Sequence, residues 1–180
     1  WRTNYNIQII YDTYSGYYFM LKPDGSKVYF MNPTEGYNDL GVYVYSSIAE
    51  DGSGMILNRE INDPYEMYVE TDSDIVYRFN QYGRLYLITN TQTSDTIQIY
   101  YIDTTSYKIN YVIDEAGNRI MFYYLYDMLW KTELQLLQAD STYRGIERRY
   151  YYYDSYDNIS YINYDYRYGT DITTWSTDPA

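Results

Sequence analysis

The chain has no cysteine and no histidine. Without cysteine there is no disulfide framework, no thiolate nucleophile and no cysteine-type zinc site. Without histidine there is no Ser-His-Asp triad, no imidazole base and no usual transition-metal ligand. The two absences together remove many enzyme classes. A cysteine-free chain is also compatible with export, where stray oxidation is avoided. Bases are scarce: 13 against 25 acids, a net charge of -12. An acidic chain repels phosphate backbones, so a nucleic-acid partner is not expected. No run approaches the ~20 apolar residues of a membrane helix, so no membrane span is expected. The chain opens at Trp1 with neither an initiator methionine nor a secretory leader. It is therefore expected to be a mature product, a processed one or a piece of something longer.

What is abundant is tyrosine, 31 of 180 residues. Many stand beside Asp or Asn in a recurring phrase. Tyr77-Arg78-Phe79-Asn80-Gln81-Tyr82-Gly83-Arg84-Leu85 is one copy, and Tyr151-Tyr152-Tyr153-Asp154-Ser155-Tyr156-Asp157-Asn158-Ile159 is another. The phrase is two aromatics one residue apart, an Asx residue, a turn and an aliphatic. Self-similarity of this kind decides architecture before local propensity does. The two copies agree in phase. Aliphatics follow Phe79 at Leu85 and Ile88, and follow Tyr153 at Ile159 and Ile162. The copy at Tyr101 has a longer turn before Ile109 and Val112. The copy at Tyr124 is degenerate, with Tyr126-Asp127 where a glycine turn belongs.

Strand-forming Tyr, Ile, Val, Thr and Phe dominate, and Asp, Asn, Gly and Ser punctuate them at short intervals. Tyr17 to Phe30 reads as a hairpin around Pro23-Asp24-Gly25-Ser26, since proline fixes one φ and glycine accepts a positive one. Further strands are expected at Gly41 to Tyr45, Met55 to Leu57 and Glu66 to Glu70. The regular series then runs Ile75 to Phe79, Leu85 to Thr89, Thr96 to Tyr101, Lys108 to Ile113, Ile120 to Tyr124, Met128 to Leu137, Glu147 to Tyr153 and Asn158 to Tyr164. Leu125, Met128, Leu129, Leu134 and Leu137 have partly helical spacing, so a helix over Tyr123 to Ala139 competes. The alternation from Trp130 to Leu136 favours strands. The expected fold is all-β: consecutive antiparallel hairpins in one long curved sheet. An N-terminal hairpin region (1–74) leads into degenerate repeats (75–166) and a tail (167–180), as one continuous unit.

These residues resemble the YD-repeat, or RHS (rearrangement hotspot), family. Tyr77 to Ile88, Asp114 to Phe122 and Tyr151 to Ile162 carry the likeness best. The Trp1 to Tyr5 start, the Tyr17 to Phe30 hairpin and the Asp51-Gly52-Ser53-Gly54 turn are similar to the approach to such repeats. The resemblance implies hairpins added side by side into a sheet that, in complete members, spirals into a hollow shell. It implies a non-enzymatic structural segment of an exported bacterial protein: shell, surface scaffold or self-associating fibre. The family's self-cleavage signature is not matched, because Asp63-Pro64 is followed by Tyr65-Glu66 and Asp178-Pro179 by Ala180. Tyrosine also replaces the family's more usual Lys, Thr or Gly at Tyr82, Tyr107, Tyr156 and Tyr161.

Those four tyrosines are the candidate surface contacts; no catalytic, metal-binding or cofactor-binding residue is singled out. The Tyr-Asp pairs read as packed rings beside Asx turns. Asp72-Ser73-Asp74 and Asp51-Gly52-Ser53 lack the ligand spacing of a calcium loop and read as turn acids. A glycosidase carboxylate pair is not distinguishable among 25 acids. Arg148-Arg149 beside Tyr150 to Tyr153 reads as cross-strand pairing. Partners are expected at the sheet edges: neighbouring repeats or other copies of the chain. The alternative reading is a carbohydrate-binding module whose Tyr and Trp rings stack on a cell-wall glycan.

Overall fold

A computed structural model describes residues 5–38, 41–60, 66–104, 106–166 and 176–177. The Trp1 to Asn4 start, both Asp-Pro pairs and nearly all of the 167–180 tail lie outside the described residues. Two compact units make up the chain, one from Arg2 to Ile99 and one from Tyr100 to Ala180. Strands β1 (Gln8–Asp12), β2 (Tyr17–Leu21), β3 (Lys27–Tyr37), β4 (Tyr43–Ala49), β5 (Ile56–Glu60), β6 (Met67–Glu70), β7 (Ile75–Phe79) and β8 (Leu85–Asn90) belong to the first. β9 (Thr96–Tyr101) is divided between the two. The second holds β10 (Ile109–Asp114), β11 (Arg119–Leu125), β12 (Met128–Leu137), β13 (Tyr143–Tyr153), β14 (Ile159–Tyr166) and β15 (Ser176–Thr177).

The fold is all-β, with no helix among the described residues. Strand order in the sheet follows strand order in the chain, and every described pairing is antiparallel. The segment with partly helical spacing forms β11 and β12. Their connection is the two-residue turn Tyr126-Asp127, with φ of 48° and 69° and Leu125 paired to Met128. Both turn residues take the left-handed conformation, as a tight hairpin matched to strand twist requires. The degenerate copy therefore still makes a turn, without glycine.

One turn recurs seven times among the described residues. The first residue's N–H donates to the carbonyl of the fifth, and the fourth residue's N–H donates to the carbonyl of the first. The turns begin at Lys22, Asn38, Thr71, Asn80, Asp114, Gln138 and Asp154. The fourth position is always left-handed: Gly25, Gly41, Asp74, Gly83, Gly117, Ser141 and Asp157, with φ between 60° and 86°. In five of the seven a side-chain oxygen of the first residue also accepts the fifth residue's N–H, at 2.8 Å for Asn38, 3.2 Å for Thr71, 3.1 Å for Asn80, 2.8 Å for Asp114 and 3.0 Å for Asp154. Asp and Asn reach their own backbone in this way, which is why the phrase carries them there.

The two clearest sequence copies are also structural copies. Phe79 pairs with Leu85 and Tyr77 with Ile88; Tyr153 pairs with Ile159 and Tyr151 with Ile162. Each copy carries a register shift at the same step, Arg78/Phe79 and Tyr152/Tyr153.

In the first unit, alternation and register put one set of side chains on one face. Ile9, Met20 and Val28 form one row, and Tyr11, Tyr18, Phe30 and Ala49 the next. Ser47, Leu57, Val69 and Tyr77 form a third, and Tyr45, Arg59, Met67, Phe79 and Leu85 a fourth. The apolar members of this face supply much of the core: Phe30, Leu57, Val69, Phe79 and Leu85 are at most 1% exposed. Each such burial contributes about 1.5–3 kcal/mol. The sheet of this unit bends far enough for β1 to reach the β7–β8 turn. Ile9 N–H donates to Gly83 O at 2.8 Å, Leu85 N–H donates to Ile7 O at 3.3 Å, and Gln8 bridges Arg84. This contact is one bridge deep and does not close a barrel.

In the second unit the same alternation separates an apolar face from a polar one. Val112, Phe122, Thr132 and Tyr151 are buried on one side. On the other, Glu133 lies opposite both Met121 and Arg148.

Candidate functional site

A pocket of about 290 Å³ opens on the core-bearing face of the first unit, beside the β1–β2 turn. Tyr11 comes from β1, Tyr17 and Tyr18 from β2, Ser47 from β4 and Arg59 from β5. Buried Phe30 completes it together with exposed Gly16 and Pro33. Pro33 sits where the β3–β4 register jumps between Met31 and Thr34, next to Asn32 with φ of 53°. A bulge leaves residues out of the ladder and re-aims them. Proline, with no N–H to donate, fits there.

The polar centre of the pocket is Arg59. One guanidinium nitrogen donates to Tyr18 Oη at 3.1 Å. The group lies 4.8 Å from the Tyr18 ring centre and 5.1 Å from that of Tyr45. Two rings thus hold the guanidinium plane by cation–π attraction. Among the described residues Arg59 makes no ion pair with a carboxylate. Nearby, Glu35 accepts a hydrogen bond from Tyr43 at 2.9 Å. Hydrogen bonding to Glu35, followed by its charge, raises the phenol pKa of both Tyr43 and Tyr45.

The four sequence candidates lie elsewhere. Tyr82 is 50% exposed in the β7–β8 turn and lies under the Arg84 guanidinium at 5.3 Å. Tyr156 is 83% exposed in the β13–β14 turn. Tyr82 and Tyr156 hold the same turn position, where each N–H donates to the Asx side chain two residues before it, Asn80 at 3.0 Å and Asp154 at 2.8 Å. Tyr107 is exposed between β9 and β10. Tyr161 stacks on Tyr152, its cross-strand partner, at 4.3 Å and 9°. A second such stack joins Tyr100 and Tyr111 at 4.4 Å and 16°. The four candidates are spread over both units, and the ring partner of Tyr161 is not one of them.

The acids behave as turn formers. Asp12, Asp24, Asp51, Asp140 and Asp154 each accept the N–H two residues on, at 2.8–3.0 Å. Hydrogen bonds to these turn residues hold all five carboxyls below their ordinary pKa. No group of three acids suited to a metal ion occurs among the described residues. Asp51 and Asp74, from the two acidic clusters, bond to Ser53 and to Gln92 respectively.

The Arg148-Arg149 pair is engaged within the sheet. Arg148 donates to Glu133 at 2.8 Å across β12 and β13, and Arg149 pairs with Glu147 on its own strand. Glu133 also takes Lys131 at 3.5 Å and Gln135 at 3.0 Å. Burial pushes the Glu133 pKa up, but hydrogen bonds from Gln135 and Arg148, with the charges of Arg148 and Lys131, outweigh it and the net shift is down. Burial pushes the half-buried Tyr124 phenol up to about 12, against a backbone hydrogen bond from Ile109 that lowers it.

The pocket escapes sequence reading because its members come from five strands. They meet only once the register of β1 to β5 is set. The one signal in the chain is a base, Arg59, at a position whose alternation partner Leu57 faces the core. No protein-family model and no curated protein matches the chain.

Proposed function

We propose that the chain is a structural segment without catalytic activity, part of an exported, secreted or cell-surface bacterial protein of the YD-repeat type. It contributes a run of hairpins to a larger sheet that serves as shell or surface scaffold. The observation that carries this reading is the repeated hairpin. The β7–β8 and β13–β14 copies share their pairing, their register shift and their turn hydrogen bonds. A polypeptide assembled by copying one hairpin extends by adding neighbours, and each hairpin buries its faces only with neighbours in place.

The partners in this reading are the next repeats, or another copy of the chain, at the sheet edge. β14 spans Ile159–Tyr166, but only Asp165 and Tyr166 pair with β15. Among the described residues its outer edge from Ile159 to Tyr164 has no pairing strand. An unpaired edge offers N–H and C=O groups to another strand. Analytical ultracentrifugation over a wide concentration range tests this. The expected outcome is association that increases with concentration and is suppressed by Ile162→Pro, which removes an edge donor. A strictly monomeric chain at the highest concentration would count against the reading.

A further inference from the structure

We propose that the Arg59 pocket binds a monosaccharide that bears a carboxylate, of the uronic-acid class. This does not depend on the scaffold reading, since a scaffold with an empty pocket is still a scaffold. It also differs from a contact through Tyr82, Tyr107, Tyr156 or Tyr161, none of which lines the pocket.

Size gives the first constraint. A volume of about 290 Å³ lies at the small end for ligand pockets, which suits one ring and not a chain of several. The wall chemistry gives the second. Tyr11, Tyr17 and Tyr18 offer apolar ring faces together with hydroxyls, and Ser47 adds another hydroxyl. Hydroxyls both donate and accept, which matches a ligand whose own rim is hydroxyls on an apolar ring. Tyr11 and Tyr18 meet at 5.0 Å and 53°, so their faces form an angled wall and not a parallel slot. A puckered ring fits such a wall better than a flat one.

Charge gives the third. Among the described residues Arg59 is the one cation lining the pocket. It spends one donor on Tyr18, and among the described residues no other hydrogen bond engages its planar fork. A guanidinium fork is matched by the two oxygens of a carboxylate. One positive charge balances a carboxylate monoanion and leaves a phosphate dianion half neutralised. The net charge of -12 opposes any anion at long range. At physiological ionic strength that field is screened beyond roughly 8 Å, while the contact at Arg59 is not.

The test is a titration of the isotopically labelled wild-type chain with D-glucuronate, glucose, acetate and inorganic phosphate in parallel, read by NMR. Glucuronate is expected to shift the Arg59 Nε–Hε resonance and the Tyr11 and Tyr18 ring resonances together, with saturation in the millimolar range or below. Glucose lacks the charge and acetate lacks the ring, so each should bind roughly tenfold or more weakly, since a charge-assisted hydrogen bond is worth at least that factor. Phosphate binding as tight as glucuronate would overturn the carboxylate assignment. Equal binding of glucose and glucuronate would overturn the role of Arg59. Glucuronate binding without pocket shifts would overturn the site. Arg59→Lys keeps the charge and loses the fork, and is expected to weaken glucuronate binding roughly tenfold to a hundredfold. Unchanged affinity in that variant would sink the proposal. The wild-type panel decides the matter even if the variant folds poorly.

Discussion

Replacing Gly83 with alanine asks two things of the structure at once. Gly83 has φ of +70°, where an L side chain is strained. A Cβ built there would lie 2.0 Å from Ile9 O, a backbone atom that has no rotamer to escape into. Gly25 makes the matched control. It holds the same turn position with φ of +86°, and nothing lies within 4 Å of its Cβ. Gly25→Ala therefore pays the left-handed cost alone, about 1–2 kcal/mol. Gly83→Ala pays that and must also push β1 away by about an ångström. The push breaks the Ile9 N–H to Gly83 O and Leu85 N–H to Ile7 O bonds, at about 0.5–1.5 kcal/mol each. It also loosens the Ile9 side chain, now 4% exposed, whose burial is worth about 1.5–3 kcal/mol. The expected difference between the two variants is about 2–5 kcal/mol by these terms. Urea unfolding followed by tyrosine fluorescence measures it, and hydrogen exchange at the Ile9 and Leu85 amides locates it. If the two variants agree within about 0.5 kcal/mol, the usual additivity error, and Ile9 stays protected, the contact between β1 and the turn does not stabilise the unit.

Three further outcomes are expected. Asp154→Asn should leave the melting temperature at neutral pH nearly unchanged, because Asn80 does the same work in the equivalent turn. Wild type should lose stability as pH falls below about 4, because the turn carboxyls have folded pKa values below their unfolded ones; Asp154→Asn should soften that loss, and an identical acid profile would refute the turn assignment. Glu133→Gln leaves Lys131 and Arg148 facing a neutral group in a half-buried setting and should cost about 2–4 kcal/mol, read by urea unfolding; a variant as stable as wild type would mean the network contributes nothing. The Tyr124 phenol, held to about 12, should ionise last in an ultraviolet titration, and stability present below about pH 10 should fall as pH rises toward 12; Tyr124→Phe should remove that step.

Strands and turns were legible because each depends on residues near one another in the chain. Asn80, Asp114 and Asp154 announce their turns through their own side chains. β1 was not anticipated, since Gln8 to Asp12 stands apart from the repeated phrase and gains much of its role from Gly83, far along the sequence. The continuation of β3 past Pro33 was also hidden: proline reads as a breaker, yet here it occupies a bulge where no ladder donor is needed. Tyr82 and Tyr156 stood out as surplus rings. In the fold they occupy a turn position whose backbone N–H does the structural work, which leaves the ring exposed. Tyr11, Tyr17, Tyr18 and Arg59 could not be grouped without knowing which strands lie side by side.

The contact of β1 with the β7–β8 turn gives growth of the sheet a direction. The first half of the leading edge is occupied by the chain's own turn, whereas most of the β14 edge is vacant among the described residues. Two copies that meet through β14 consume the vacancy in both, so the pairing is self-complementary and ends at two.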